Sequence, residues 1–133
     1  MFPILYIFNN WAVLFLRLIL GTTLVLHGWP KVKDLKKTAE NFHGMGFRPG
    51  NFWGTLAAIT EFGGGWAIVL GLFTQIVAII VIGEFIIIMG WQLKNGAKWV
   101  HGYELDLFVL AATFMLLTTG IGPWALDKFF FGI

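Results

Sequence analysis

The sequence contains no cysteine. Disulfides, thiolate metal sites and dithiol relays are excluded with it, and so is any four-helix membrane reductase that works through a cysteine pair. Charge is the second scarcity. Only 12% of the 133 residues are Asp, Glu, Lys or Arg, against about 25% in a soluble domain. A helical protein with a fully buried core needs a polar outer layer, and this chain lacks the residues to make one. The first ten residues hold no Lys or Arg, so the basic start of a cleaved signal peptide is missing and no leader is expected. Net charge is only +2, and no nucleic-acid partner is expected. Signatures for nucleotide loops, nucleophile elbows and zinc-binding helices are absent as well.

Apolar residues make up 58% of the chain, and they fall in four runs: Trp11–Gly28, Phe52–Gly71, Ile76–Leu93 and Leu105–Ile121, of 18, 20, 18 and 17 residues. A spanning helix needs about 20 predominantly apolar residues. The reading is an all-α membrane protein, an up-down bundle of four transmembrane helices over residues 11–28, 52–71, 76–93 and 105–121, forming one domain over 1–133 with the lipid bilayer as its partner. The first loop is longest. Within it Val32, Leu35, Ala39 and Phe42 share one helical face while Lys33, Lys36, Lys37 and Glu40 lie elsewhere, which predicts a short basic amphipathic segment on the membrane surface. Gly71 is expected to end the second helix. Loops one and three hold seven Lys or Arg residues and the opposite side holds Lys128 alone. By the positive-inside rule both large loops are cytoplasmic and both termini outside. Trp11, Trp29, Trp53, Trp91 and Trp124 mark the interfaces, and Trp66 is expected to pack within the bundle.

Charge inside hydrocarbon is where function is sought, because an ionisable group at membrane depth is costly without a partner or water. Arg17, Glu61 and Glu84 each interrupt an apolar run. Counting helix rise from the ends of the runs places all three roughly 14–17 Å below the cytoplasmic face. Gly54, Ala57, Ala58, Glu61, Gly64 and Gly65 recur at spacings of three and four, as in close helix packing. Arg17, Gly21, Leu24 and Gly28 form a stripe on the first span, so the expectation is that these faces pack and that Arg17 pairs with Glu61. Glu84 is left over, either as a protonated carboxyl bonded to a neighbouring helix, as a proton relay, or as a polar contact for a ligand headgroup. A second group lies at the cytoplasmic boundary: His27, His101, Tyr103, Glu104 and Asp106. These residue types suit interfacial capping, proton uptake or ligand contact, or a divalent metal. A haem between His27 and His101 has no further support.

Short motifs in a fixed order then carry a resemblance. Leu16-Arg17-Leu18, Leu26-His27-Gly28-Trp29-Pro30-Lys31, Glu61-Phe62-Gly63-Gly64, Leu70-Gly71-Leu72-Phe73-Thr74 and Gly102-Tyr103-Glu104 resemble the DoxX family, as does the segmentation into four helices with a long first loop and a tight second turn. Glu84 and Asp106 are outside that pattern. The resemblance implies a small multi-pass protein of the bacterial or archaeal plasma membrane. Relatives include the membrane subunit of thiosulfate:quinone oxidoreductase and a membrane partner of redox-stress enzymes, and many members have no defined activity. The expected function is therefore a membrane anchor or quinone-facing subunit of an oxidoreductase complex. The polar lining would draw on Arg17, His27, Glu61, Glu84, Tyr103 and Glu104, with a protein partner to supply electrons. No cofactor is identified apart from the quinone that the resemblance implies, and four short helices are compatible with a homodimer. Two rivals use the same residues: a small proton or solute transporter, and a structural scaffold without chemistry.

Overall fold

The computed structural model describes residues 3–132. Among them there is no strand, and six α-helices follow one another: α1 (Asn9–Lys33), α2 (Leu35–Gly44), α3 (Gly50–Leu70), α4 (Thr74–Lys94), α5 (Glu104–Thr119) and α6 (Leu126–Phe131). A 3₁₀ turn, Pro3–Phe8, leads into α1, and a π-type turn, Trp99–Tyr103, leads into α5. The four long helices α1, α3, α4 and α5 alternate in direction. This is an all-α membrane protein. Among the described residues, three helical stretches are long and apolar enough to cross a bilayer: Pro3–Lys33, Thr74–Lys94 and Trp99–Thr119. Helix α3 is as long as α4, but five glycines, Asn51 and Glu61 dilute its apolar run.

The helices outrun the apolar segments that foreshadow them. Helix α1 continues through Trp29 and Pro30 to Lys33, because hydropathy marks where hydrocarbon-compatible sequence stops, not where backbone hydrogen bonds stop. Asp34 separates α1 from α2. Its carboxylate accepts from the Lys37 N–H at 3.1 Å, the usual N-cap bond. Helix α2 buries Thr38 and Ala39, while Leu35 is exposed. The inward face is thus rotated from the one expected, towards Thr38, whose hydroxyl donates to the carbonyls of Asp34 and Lys31. Helix α2 rests on the first turns of α3. A Cβ at Gly50 would strike the Ala39 carbonyl, and one at Gly54 would lie 3.2 Å from the Thr38 methyl.

Backbone contact between α1 and α3 sets the centre of the bundle. A Cβ on Gly65 would stand 2.7 Å from the Gly21 carbonyl oxygen, and one on Gly21 would stand 2.7 Å from the Gly65 oxygen. The small face expected of α3 is divided among three neighbours. Gly54 meets α2, Gly65 meets α1, and Gly64 meets Val77 and Val81 of α4. Val13, Leu20, Leu24, Ile68, Val81, Phe85, Val109 and Leu116 fill the space between the helices. Gly71 closes α3 in the left-handed conformation at φ 69°. Trp66 is 48% exposed, so it projects outward and not into the bundle. Gly65 beside it holds the contact with α1, and a helix turns about 100° between successive residues.

Candidate functional site

Lys31 and Glu61 form an ion pair across the α1–α3 contact, with Glu61 buried and Lys31 partly so. Side chains lean towards the N-terminus of their own helix. The two helices are antiparallel, so these two side chains lean towards each other. Glu84, on α4, comes within electrostatic reach of both Glu61 and Lys31. Both Glu84 carboxyl oxygens are buried, with the Glu61 side chain within hydrogen-bonding reach. The structure therefore brings Glu61 and Glu84 together.

It leaves Arg17 out. Gly28 is the α1 residue level with Glu61, since a Cβ there would stand 2.9 Å from the Glu61 carbonyl carbon. Arg17 lies eleven residues earlier, roughly 16 Å along the helix axis. The expected Arg17–Glu61 pair fails on register. The first turns of α3 run beyond α1 to pack on α2, so depth counted from Phe52 sets Glu61 too deep. Arg17 instead binds the chain after α5, donating at 2.7 Å to the carbonyls of both Ile121 and Trp124. It is 2% exposed, and its Nε has no partner.

An apolar cavity of about 200 Å³ opens beside the carboxyl pair, between α2, α3 and α4. Phe42, Phe47 and Trp53 form its aromatic wall and Ile79, Ile80 and Ile87 its aliphatic one. Thr60 and Glu84 are its polar side chains, and Glu84 is the ionisable one. A small-molecule site has this make-up, mostly apolar with a few convergent polar groups. A larger hollow of about 510 Å³ lies at the opposite end, bordered by Asn10, Phe73, Gln75, Pro123 and Lys128. There Asp127 accepts from the Phe73 N–H at 2.6 Å and the Thr74 N–H at 2.8 Å, capping α4 from a distant part of the chain.

The boundary group does not assemble. His27 and His101 are both exposed. Tyr103 is half-buried and its ring stacks edge-on against Trp99 at 5.6 Å. Glu104 accepts locally from the His101 N–H at 3.4 Å, a capping role. Among the described residues no three His, Asp or Glu side chains converge as metal ligands would.

A family model named DoxX matches residues 12–102, about two thirds of the chain. The chain belongs to the DoxX family. The inner membrane protein YqjF of Escherichia coli strain K12 is 28% identical over 119 residues, covering 88% of this chain and 90% of that one. A Bacillus subtilis strain 168 protein named "Putative oxidoreductase CatD" is 30% identical over 124 residues, covering 90% of this chain and 87% of that one. No solved structure matches. In this DoxX protein Lys31, Glu61 and Glu84 all lie inside the matched region, while Tyr103, Glu104 and Asp127 lie beyond it.

Three contributors escaped the sequence reading as site residues. Lys31 stands in the sequence as a loop charge and as the end of the family motif Leu26–Lys31, outside the expected polar lining, yet it continues the stripe Arg17, Gly21, Leu24, Gly28 by three more residues. Thr60 lies one residue before Glu61 and had no signal of its own. Asp127 is the lone acid after residue 106. Its partners at Phe73 and Thr74 are 54 and 53 residues away, and no local pattern could reveal them.

Proposed function

We propose that this DoxX protein is the membrane-embedded, quinone-facing subunit or anchor of an oxidoreductase assembly, with the cavity before Glu84 as the headgroup site. The observation that carries the reading is the Glu84 carboxyl, its oxygens buried, in the wall of an apolar, aromatic cavity. A quinone headgroup needs donors for its carbonyls and protons when it is reduced. The Thr60 hydroxyl and a protonated Glu84 are donors facing the cavity. Glu61 and Lys31 lie behind Glu84, towards the α1–α2 connection, and form a path by which a proton is returned. Electrons come from a partner protein or a cofactor it carries. The name of the Bacillus subtilis relative supports a redox setting. In this reading α3 is the fourth span, both termini face outward, and the Lys-rich α1–α2 and α4–α5 connections face the cytoplasm.

The test is thermal. A short-chain quinone analogue should raise the melting temperature of the purified protein, since a ligand that binds only the folded state stabilises it. Glu84→Gln and Thr60→Val should each reduce the shift. Gly83→Leu should abolish it, because Gly83 lines the cavity and a Cβ there meets nothing within 4 Å. His27→Ala should leave it intact. A wild-type melting curve unmoved by saturating analogue, with and without the partner, sinks the reading.

A further inference from the structure

The hollow at the Arg17 end has no part in the redox proposal. Three of the four long helices begin or end on it: Asn10 opens α1, Gln75 opens α4, and Gly120 follows α5. It therefore sits at the membrane surface and not at the depth of the Glu84 cavity. Trp11 and Trp124 follow the lining residues Asn10 and Pro123 in the chain, and their ring centroids stand 4.6 Å apart. Indole favours that interfacial depth. The walls divide by chemistry. Phe73, Ile76 and Phe131 make an apolar side, on which the rings of Phe73 and Phe131 stand 5.7 Å apart. Asn10, Gln75 and Lys128 bring two carboxamides and an ammonium. Asp127 also borders the hollow, but it is buried and its two oxygens are taken by the Phe73 and Thr74 N–H groups. Its charge is set against the positive end of α4. Lys128 is exposed and, among the described residues, has no ion-pair partner. It is the one Lys or Arg after residue 98. The hollow thus combines an unpaired positive charge, two carboxamides and an apolar wall.

We propose that this hollow is a lipid site. It takes the phosphate headgroup of an anionic phospholipid beside Lys128 and the Asn10 and Gln75 carboxamides, with the start of an acyl chain on Phe73, Ile76 and Phe131. The volume, about 510 Å³, lies within the usual range of small-molecule sites. Alternative occupants fit less well. A divalent cation needs several oxygen ligands, and the one carboxylate here is already engaged. A zwitterionic headgroup brings a second cation towards Lys128. A free phosphate leaves the apolar wall uncovered. The proposal is independent of the Glu84 cavity and of whatever binds there.

Photolabelling of the full chain in zwitterionic detergent decides it. The probe is a phosphatidylglycerol carrying a diazirine near the head end of one acyl chain, and labelled peptides are mapped by mass spectrometry. Label should fall within residues 73–76 and 120–131. Dioctanoyl phosphatidylglycerol should displace that label at about fivefold lower concentration than dioctanoyl phosphatidylcholine, the scale of one basic residue beside an anionic headgroup. Lys128→Gln, at an exposed position, should erase the difference. Lys36→Gln, at the opposite end of the bundle, should leave it unchanged. Inorganic phosphate should not displace the label at the concentrations where the lipid does. Absence of label from both segments overturns the proposal, and so does a preference for phosphatidylglycerol that survives in Lys128→Gln. Displacement by inorganic phosphate as effective as by the lipid overturns it as well, because the site would then be one for a free anion.

Discussion

At the scale of single residues, the ion pair to test is Lys31 with Glu61. Lys31→Met strands a buried carboxylate and should cost about 2–4 kcal/mol, the lower end of the usual range because Lys31 is partly exposed. Adding Glu61→Gln should recover much of that loss. Arg17→Leu should also destabilise, but combined with Glu61→Gln the two losses should simply add, as they do for sites far apart. Thermal melts of the three single variants, Glu61→Gln included, and the two double variants check both statements. Coupling between Arg17 and Glu61 above about 1 kcal/mol would contradict the register described here. These residues also show what sequence can and cannot reveal. Scarcity of charge in apolar runs was enough to single out Arg17, Glu61 and Glu84. Partner choice depends on how far one helix slides along another, and that is fixed by backbone contacts such as Gly28 on Phe62. Hydropathy does not register those contacts. Lys31 looked like a loop charge because a Pro-Lys pair reads as a stop, yet the helix runs on through Pro30.

At the scale of elements, glycine position separates packing from tolerance. Gly65 has the Gly21 oxygen and the Val25 nitrogen at 2.7 Å from any added Cβ. Gly63, two residues earlier, has nothing within 4 Å. Gly65→Val should force α1 and α3 apart and cost about 2 kcal/mol or more. Gly63→Ala should be neutral or stabilising, within about 1 kcal/mol. Chemical denaturation in one detergent measures both, and equal costs would refute the α1–α3 contact. The repeat of small residues was visible in the sequence, but it does not say which neighbour each glycine meets. Three helices share that face because α3 sits between α1, α2 and α4. Helix α2 was legible as an amphipathic segment, although its inward side is set by Thr38. A hydroxyl counts as polar until its bonds to Lys31 and Asp34 carbonyls are seen.

At the scale of the molecule, the two ends are chemically different. One carries Lys31, Lys33, Lys36 and Lys37 around the α1–α2 junction, together with Glu61 and Glu84. The other carries Arg17's carbonyl contacts, Asp127 and Lys128. A reporter inserted within residues 33–37 should read cytoplasmic, and one fused at the C-terminus should read periplasmic or extracellular. The opposite readout would invert the orientation and move the carboxyl pair to the outer half, leaving every internal contact unchanged. The all-helical membrane character was legible from composition alone. The excess of basic residues at one end was legible too, but the Arg17 contacts at the other were not, because they join residues more than a hundred positions apart.

Arg17's grip on the Ile121 and Trp124 carbonyls, and Asp127's cap on α4, also order events in time. The first helix enters the membrane carrying a guanidinium whose acceptors are synthesised more than a hundred residues later. The first turn of α4 likewise waits for a carboxylate that has not yet left the ribosome. The Arg17 end of the bundle is therefore open until the chain beyond α5 has been made. Until then the growing chain holds a charge in lipid with only water or a chaperone to satisfy it. Shortening the chain at Thr119 would make that interval permanent.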